Sequence, residues 1–251
     1  MWGGPELTSS HFRQVLSMNP ALTVVVACLD EEGNLRRYPA ELFPALDSLA
    51  VPYEIILVDD GSTDGTAAEA EALASLRPQI RVVRLSPNRG LGGALRAGFA
   101  QARGEWVATL DADLTFRPER LADLLAAAKA ENADLVAGSP YLRPGDMDAV
   151  PWPRRLPSLL LNAFYRRLFS MRLSAYTPVL RLYRASRLRE LPLVSEGFEI
   201  NAEIAALAAR RLWRVCEVPV PLGARSCGVS KLSRGREFAR HLRLVARLLT
   251  S

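Results

Sequence analysis

The sequence predicts an α/β protein with a mainly parallel central sheet flanked by helices. Apolar runs rich in β-branched residues alternate with segments of helical periodicity, which is typical of βαβ units. Continuous apolar runs indicate strands that are buried on both faces, as parallel strands are. Polar clusters directly follow the first, second and fourth runs, at the strand ends where ligands bind in such sheets. The 251 residues, 49% of them hydrophobic, suffice for one large domain or two small ones.

The first part of the chain contains five predicted strands, each separated from the next by a helical pattern. From their aliphatic or β-branched runs we expect strands over 22–27, 53–58, 80–85, 107–110 and 134–138. From apolar residues at helical spacing we expect helices over 34–46, 67–76, 94–103 and 118–131. A regular strand–helix succession of this kind predicts a sheet in which most strands run in the same direction.

The second part is less regular, because residues 139–160 are rich in Pro and Gly. After them we expect an amphipathic segment over 157–171, a strand over 180–183, a helix over 199–211, a strand over 215–220 and a helix over 236–249. The predicted organisation is a leader over 1–20, one domain over 21–235 and a C-terminal amphipathic helix over 236–251.

The two amphipathic segments have two interpretations. Residues 157–171 combine an apolar stripe with Arg166 and Arg167, and the last helix carries arginines beside its own stripe. An apolar stripe is by default the buried face of a helix. The basic flank also fits a helix that lies in a membrane interface. Neither segment has the 18 or so apolar residues expected of a membrane span, so we predict peripheral contact at most.

Charge and cysteine content narrow the classes of partner. Residues 1–150 carry 13 Lys and Arg against 21 Asp and Glu, whereas residues 151–251 carry 19 against 6. The acidic half suits a metal ion, and the basic half suits an anion such as phosphate or anionic lipid. No nucleic-acid-binding motif accompanies the basic residues, so we predict no nucleic-acid partner. Three cysteines without metal-ligand spacing and the lack of a signal peptide predict a reduced, cytoplasmic protein.

A pair of carboxylates ends the fourth predicted strand. Asp111 and Asp113 are one residue apart in an extended segment, so their side chains point the same way. Two neighbouring carboxylates repel each other, and Mg²⁺ or Mn²⁺ relieves this repulsion while it also binds diphosphate oxygens. The alternatives are a solvated loop or an Asp that caps the next helix. The position after an apolar strand favours a metal-bridged diphosphate site.

The polar residues after the first two strands suit a sugar–nucleotide ligand. Carboxylates such as Glu31 and Asp60 accept hydrogen bonds from ribose hydroxyls or a base N–H. Asp59 and Ser62 also fit a plain turn between a strand and a helix. The glycine-rich stretch 88–93 allows a phosphate to approach the backbone, and close packing of a helix start explains its glycines at least as well.

Seven motifs then occur in order along the chain. They are Glu-Ile-Ile-Leu-Val-Asp-Asp-Gly-Ser-Thr-Asp-Gly-Thr at 54–66, Asn-Arg-Gly-Leu-Gly-Gly-Ala at 88–94, Ala-Arg-Gly-Glu-Trp at 102–106, Asp-Ala-Asp-Leu at 111–114, Gly-Phe-Glu-Ile at 197–200, Glu-Val-Pro-Val at 217–220 and Gly-Val-Ser-Lys-Leu at 228–232. Together they resemble the motifs of family 2 glycosyltransferases of the GT-A fold. The resemblance is closest to the dolichyl- or polyprenyl-phosphate mannosyl- and glucosyltransferases, and it covers about residues 22 to 233.

The resemblance implies a metal-dependent enzyme that moves a sugar, with inversion, from GDP-mannose or UDP-glucose to a polyprenyl phosphate. It implies a nucleotide-sugar site formed by Ala27, Leu29, Glu31, Val58, Asp60, Asp111, Ala112 and Asp113, with Mg²⁺ or Mn²⁺ on Asp111 and Asp113. It implies catalytic roles for Asp113, Arg181, Glu203, Arg225 and Lys231. The three cationic side chains among these, Arg181, Arg225 and Lys231, would receive phosphate groups. A surface position on its helix is the alternative for Glu203.

Three segments depart from the family pattern. The first strand is followed by Ala27-Cys-Leu-Asp-Glu31, without the aromatic residue that packs on the base in the family. Pro140 replaces an arginine, and segment 175–181 keeps only Thr177 and Arg181 of the acceptor-side motif. The alternatives are therefore a soluble small-molecule or sugar acceptor, or a non-catalytic relative that binds a nucleotide-sugar. The leading interpretation is a cytoplasmic protein at the inner face of the membrane.

Overall fold

The architecture is that of a computed structural model, which describes residues 20–148, 150–169, 173–223 and 234–250. Within these residues there are seven strands, namely β1 (Leu22–Cys28), β2 (Tyr53–Asp59), β3 (Ile80–Arg84), β4 (Trp106–Asp111), β5 (Leu135–Ser139), β6 (Arg181–Arg184) and β7 (Val215–Pro219). They form one sheet in the order β3-β2-β1-β4-β6-β5-β7. The predicted leader lies outside the described residues except for Pro20, and the predicted division at residue 235 stays a prediction.

The sheet is mainly parallel, as predicted. β1 pairs in parallel with β2 and β4, β2 pairs in parallel with β3, and β5 pairs in parallel with β7. β6 runs antiparallel to both of its neighbours, β4 and β5. The pattern of apolar residues does not reveal this reversal, because the direction of a strand depends on where the preceding connection brings the chain back to the sheet.

Nine helices lie in the described part of the chain. They are α1 (Glu32–Leu35), α2 (Tyr38–Asp47), α3 (Thr66–Leu76), α4 (Gly90–Gln101), α5 (Arg120–Ala130), α6 (Trp152–Leu168), α7 (Ala185–Arg189), α8 (Ile200–Arg210) and α9 (Arg234–Thr250). The helix predicted over 34–46 is divided into α1 and α2, and α2 has Pro39 in its first turn. α4 begins four residues before the predicted start because the glycine-rich stretch is itself helical. α6 begins at Trp152 rather than at Pro157, which lies inside the helix.

Side chains of β1 alternate between the two faces of the sheet, as a strand requires. Val24 and Val26 belong to a core that also contains side chains of α1, α2, α3 and α5. Val25 belongs to the core on the other face, with side chains of α4, α7 and α8. α8 is covered in turn by α6 and α9, where Tyr165 and Leu244 pack with Ala205. The sheet edge that carries the polar clusters is thus supported by helices on both faces.

α6 and α9 contact each other through Tyr165 and His241, and both helices also expose apolar side chains. We call these seven residues, which are 43 to 69% exposed, the apolar stripes: Trp152, Leu156, Leu160 and Phe164 on α6, and Phe238, Leu242 and Leu249 on α9. The four on α6 recur every fourth residue and so share one side of the helix. Each helix therefore has a buried face and an exposed apolar face. None of the helices described has both the length and the apolarity needed to cross a bilayer.

Candidate functional site

The carboxyl ends of β1, β2 and β4 bring three predicted site residues into one row. Ala27 is the register partner of Val58 on one side and of Asp111 on the other. All three residues were predicted to contact a nucleotide-sugar. Val58 and Asp111 are 31 and 84 positions away from Ala27 in the sequence. Because β1 is the central strand of this parallel group, the row forms the floor of the edge where ligands bind.

The loops after β1 and β2 are joined by hydrogen bonds between backbone and side chains. The amide of Asp30 donates to Ser62 Oγ at 2.9 Å, and the amide of Glu31 donates to Thr66 Oγ1 at 2.6 Å. The amide of Thr63 donates to Asp30 Oδ1 at 2.7 Å. These bonds hold half-buried Glu31, and Leu29 next to it in the same loop, close to the end of β2. The loop geometry is therefore set before any ligand arrives.

Tyr38 is a buried residue whose pKa is affected by several carboxylates of the site. Its hydroxyl donates to the carbonyl of Ala112 at 3.1 Å, so α2 holds the segment between the two aspartates. Burial raises the pKa of Tyr38 well above its ordinary value, and the negative charges of Glu31, Asp113 and Asp111 raise it further. All three carboxylates thus lie near enough to Tyr38 to affect its pKa, and their predicted roles in binding a nucleotide-sugar and a metal stay predictions. Tyr38 itself was missed, because nothing in a helical pattern marks a hydroxyl that reaches another loop.

Asp111 and Asp113 belong to a tight turn that closes β4. The amide of Leu114 donates to the carbonyl of Asp111 at 3.1 Å, and the amide of Thr115 donates to Asp113 Oδ1 at 3.0 Å. Leu114, the last residue of the turn, has a positive φ of 54°, which is uncommon for a residue other than glycine. Asp113 is buried, whereas Asp111 is half-buried. The turn fixes both carboxylates at the edge of the sheet.

This pair of carboxylates fits a divalent cation that takes its other ligands from a diphosphate and water. Among the described residues, no three His, Cys, Asp or Glu side chains form a closed metal site. An open site with two carboxylates is the arrangement that Mg²⁺ uses with phosphorylated substrates. Asp111 and Asp113 both raise the pKa of Tyr38, which is consistent with two carboxylates that lie in the same region of the site.

Asp60 is held by the glycine-rich stretch rather than left open to solvent. Its Oδ1 accepts from the amide of Arg89 at 2.7 Å, and its carbonyl accepts from Asn88 Nδ2 at 2.8 Å. Burial raises the pKa of Asp60, although the backbone hydrogen bonds oppose that change. Asp59 accepts from the amide of Ser62 at 3.0 Å, which is the turn geometry considered for it. Asp60 therefore links the end of β2 to the start of α4.

The glycines at the start of α4 serve close packing, as one of the two interpretations predicted. The amide of Gly92 donates to the carbonyl of Glu196 at 2.7 Å. A Cβ at Gly92 would lie 2.4 Å from the carbonyl oxygen of Ser195, which is too close for any other residue. The first turn of this helix is therefore occupied by the backbone of residues 195–196, and the phosphate interpretation has no support in this geometry.

Two residues predicted to be catalytic are fully buried. Arg181 is 0% exposed and donates to the carbonyls of Asn201 at 2.7 Å and Tyr176 at 2.8 Å. Glu203 is 2% exposed, so the alternative of a surface position is wrong. It accepts from the amide of Ser195 at 2.9 Å and from Arg247 at 2.6 Å. This geometry favours supporting roles for both side chains, and their predicted catalytic roles stay predictions.

The remaining two predicted cations, Arg225 and Lys231, lie outside the described residues. Gly223 is the last described residue before them. It lies next to the turn of the aspartates, because its amide donates to the carbonyl of Thr115 at 2.9 Å. Two further buried carboxylates, Glu199 and Glu237, bind backbone amides of residues 196–198 and were not singled out from the sequence. Glu199 stands in the Gly-Phe-Glu-Ile motif, which was a usable signal, whereas Glu237 is an ordinary-looking residue of the last helix.

Solved structures with the same fold include glucosyl-3-phosphoglycerate synthase from Mycobacterium tuberculosis. Its complex with Mn²⁺, UDP-glucose and phosphoglyceric acid superposes with a TM-score of 0.67 at 21% identity, over 99% of this chain and 85% of that one. The complex with Mn²⁺, UDP and glucosyl-3-phosphoglycerate gives a TM-score of 0.63 at 20% identity, over 100% and 86%. Similarity at this level of identity shows the fold, and the predicted GT-A fold is confirmed.

Curated relatives are more similar in sequence. The undecaprenyl-phosphate 4-deoxy-4-formamido-L-arabinose transferase of Edwardsiella ictaluri is 35% identical over 84% of this chain and 62% of the relative. The dolichol-phosphate mannosyltransferase of Pyrococcus furiosus is 32% identical over 91% and 63%. The polyprenol monophosphomannose synthase of Mycolicibacterium smegmatis is 37% identical over 84% and 80%.

The chain thus spans a little over three fifths of the first two of these relatives. Residues 23–191 match the family described as Glycosyl transferase family 2, which is the region that contains the row of β1, β2 and β4 and the turn of the aspartates. The motifs, the fold and the match agree, and the chain belongs to glycosyltransferase family 2.

Proposed function

We propose that this chain is a metal-dependent, inverting glycosyltransferase that moves a sugar from a nucleotide-sugar to a polyprenyl phosphate at a membrane surface. The observation that carries the proposal is the row of Ala27, Val58 and Asp111 with Asp113 beside it. That row brings together strand ends that were predicted to face the nucleotide and includes the Asp111 carboxylate, with Asp113 two residues further along the chain. The acceptor class is supported by the relatives, several of which are named as polyprenyl-phosphate sugar transferases.

In this proposal Glu31, Val58 and Asp60 hold the nucleoside, while Asp111 and Asp113 hold Mg²⁺ or Mn²⁺ on the diphosphate. When bound, the cation would stabilise the negative charge that develops on the leaving diphosphate. An acceptor phosphate is already ionised at neutral pH, so its attack on the anomeric carbon needs no general base. The two buried residues Arg181 and Glu203 are accordingly not required as acid or base.

Membrane contact is the second part of the proposal, and the apolar stripes support it. Seven of the eleven large apolar side chains that are exposed in the described residues belong to these stripes. α6 has no Asp or Glu, and the single acidic residue of α9, Glu237, is buried. Arg166, Arg167 and Arg243 are exposed on the same two helices. Apolar area bordered by exposed arginines suits an anionic membrane surface, such as the inner face of the plasma membrane.

The donor site is tested by calorimetric titration of UDP-glucose and GDP-mannose, each with and without Mn²⁺. We expect one donor to bind in the presence of the cation, and Asp113→Asn to abolish the cation dependence. Asn retains an oxygen that accepts from the Thr115 amide, so the turn should survive while the charge is lost. Asp123→Asn is the matched control, because Asp123 is an exposed carboxylate on α5. Equal, metal-independent binding by all three proteins would refute the metal site.

The acceptor is tested with the donor that binds. Transfer to a polyprenyl phosphate in vesicles, without transfer to soluble sugars or sugar phosphates, supports the lipid acceptor. Transfer to a soluble acceptor in the absence of lipid would favour the alternative that the changed segment 175–180 raises. Donor binding without transfer to any acceptor would instead indicate a nucleotide-sugar-binding relative that has lost catalysis.

A further inference from the structure

Five consecutive backbone amides bind buried carboxylates in the loop before α8. We call residues Val194–Phe198 the amide-bound loop. The donors and acceptors are Val194 and Ser195 to Glu203 (3.2 and 2.9 Å), Glu196 and Gly197 to Glu199 (3.2 and 3.1 Å), and Phe198 to Glu237 (3.1 Å). Hydrogen bonds to a charged acceptor are about twice as strong as neutral ones. The loop is therefore held along its whole length by three side chains.

α9 supplies much of this charge. Glu237 is a residue of α9 and is 9% exposed. Arg247 of the same helix pairs with Glu203 at 2.6 Å, and Arg240 pairs with Glu237 at 2.8 Å. The charged groups of this network are Glu199, Glu203, Glu237, Arg240 and Arg247, and the last three belong to α9. A buried carboxylate keeps its charge at low cost only if it is paired or hydrogen-bonded, so the loop and α9 stabilise each other.

The amide-bound loop also contacts the start of α4. The carbonyl of Glu196 accepts from the amides of Gly92 at 2.7 Å and Gly93 at 3.4 Å. Three residues earlier, the amide of Arg89 donates to Asp60 Oδ1 at 2.7 Å. Three hydrogen bonds, joined by the backbone segments 196–198 and 89–92, therefore connect Glu237 to Asp60 at the end of β2.

We propose that Glu237 is a positioning residue for the donor site, acting through the amide-bound loop and the start of α4 on Asp60. This inference rests on the proposed function, which places a nucleoside at Asp60. If Glu237 contributed only to global stability, its replacement would leave all kinetic parameters of the folded enzyme nearly unchanged. A positioning residue instead raises the donor Kd and the donor KM, and it leaves kcat and the acceptor KM near their wild-type values.

The test compares wild type, Glu237→Gln and Glu237→Ala, with Glu71→Ala as the control, because Glu71 is an exposed glutamate on α3. The first readout is hydrogen exchange of the amides of Gly92 and Gly93, measured without any ligand. We expect exchange at these amides to rise about tenfold or more in Glu237→Ala, less in Glu237→Gln, and not at all in Glu71→Ala. Gln retains an acceptor oxygen for the amide of Phe198 but lacks the charge. A smaller rise in exchange for Glu237→Gln than for Glu237→Ala would therefore show that the hydrogen bond to Phe198 carries part of the effect.

The second readout is the donor Kd by calorimetry. We expect it to rise about three- to tenfold in Glu237→Ala while kcat stays within about twofold. Unchanged exchange at Gly92 and Gly93 in a folded Glu237→Ala protein would overturn the inference, whether or not the donor binds. A wild-type protein that binds no donor would refute the proposed function alone, because the exchange experiment uses no donor. If Glu237→Ala does not fold, the same comparison is made with Glu237→Gln, and unchanged exchange in that variant also overturns the inference.

Discussion

Replacing Leu160 by Asp tests the contact between the apolar stripes and a membrane. Leu160 is 63% exposed, so most of its side chain is available for burial in a lipid interface. Burying a whole leucine side chain is worth about 1.5–3 kcal/mol, and the exposed share of Leu160 is therefore worth about 1–2 kcal/mol. Since 1.4 kcal/mol is a factor of ten, we expect vesicle affinity to fall about tenfold. Adding Leu242→Asp on α9, where the side chain is 52% exposed, should bring the total to about a hundredfold.

The assay is sedimentation with vesicles that contain about a third anionic phospholipid, at low and high salt. Leu76→Asp is the matched control, because Leu76 also lies on a helix and is 68% exposed, but it is outside the apolar stripes. The control should bind as the wild type does. Salt should weaken all binding, because the exposed arginines contribute about 1 kcal/mol each near an anionic surface. Wild-type affinity in the double variant, or an equal loss in Leu76→Asp, would refute the proposed membrane face.

Three further outcomes concern the packing around the site. Burial lowers the pKa of His241 below its ordinary value of 6.5, so the folded state binds fewer protons than the unfolded state. The free energy of unfolding should therefore fall as pH drops below about 6.5, and by less in His241→Gln, as measured by urea unfolding. Gly92→Ala should lose about 1–3 kcal/mol of stability by forcing the backbone of Ser195 away, whereas Gly33→Ala, which has open space, should not lower the Tm. Arg181→Met should cost about 2 kcal/mol or more in urea unfolding, because it leaves buried carbonyls without a donor; a smaller loss would show that those carbonyls find other partners.

Much of the fold follows from local patterns in the chain. β1 and β2 were predicted to within a residue, because continuous aliphatic runs have few alternatives to a buried strand. The site edge was predictable for a similar reason, since polar residues after such strands meet at the same edge of a parallel sheet. The turn of Asp111 and Asp113 was placed correctly on these grounds alone.

Other features depend on partners that are distant in sequence. The reversal of β6 depends on the path of the preceding connection, which Pro and Gly content does not specify. Glu203 and Glu237 bind backbone amides 8 and 39 residues away. Every residue except proline has a backbone amide, so the sequence does not indicate which amide a carboxylate will bind. The resemblance to the family implied that Arg181 would receive a phosphate group, whereas its guanidinium here donates to the backbone carbonyls of Asn201 and Tyr176.

The contact between α6 and α9 has a consequence for how the protein would move on the proposed membrane surface. A single amphipathic helix lets a protein roll about the helix axis, and the rest of the molecule then samples many tilts. The stripe on α6 is about 18 Å long, and a second stripe lies on α9, which contacts α6 through Tyr165 and His241. With both stripes in a lipid interface, rolling about one helix axis would pull the other stripe out of the lipid, so rotation about the membrane normal and sliding within the plane would be left. In the proposed function, encounters with a lipid-linked acceptor would then become a search in two dimensions at one height of the sheet edge.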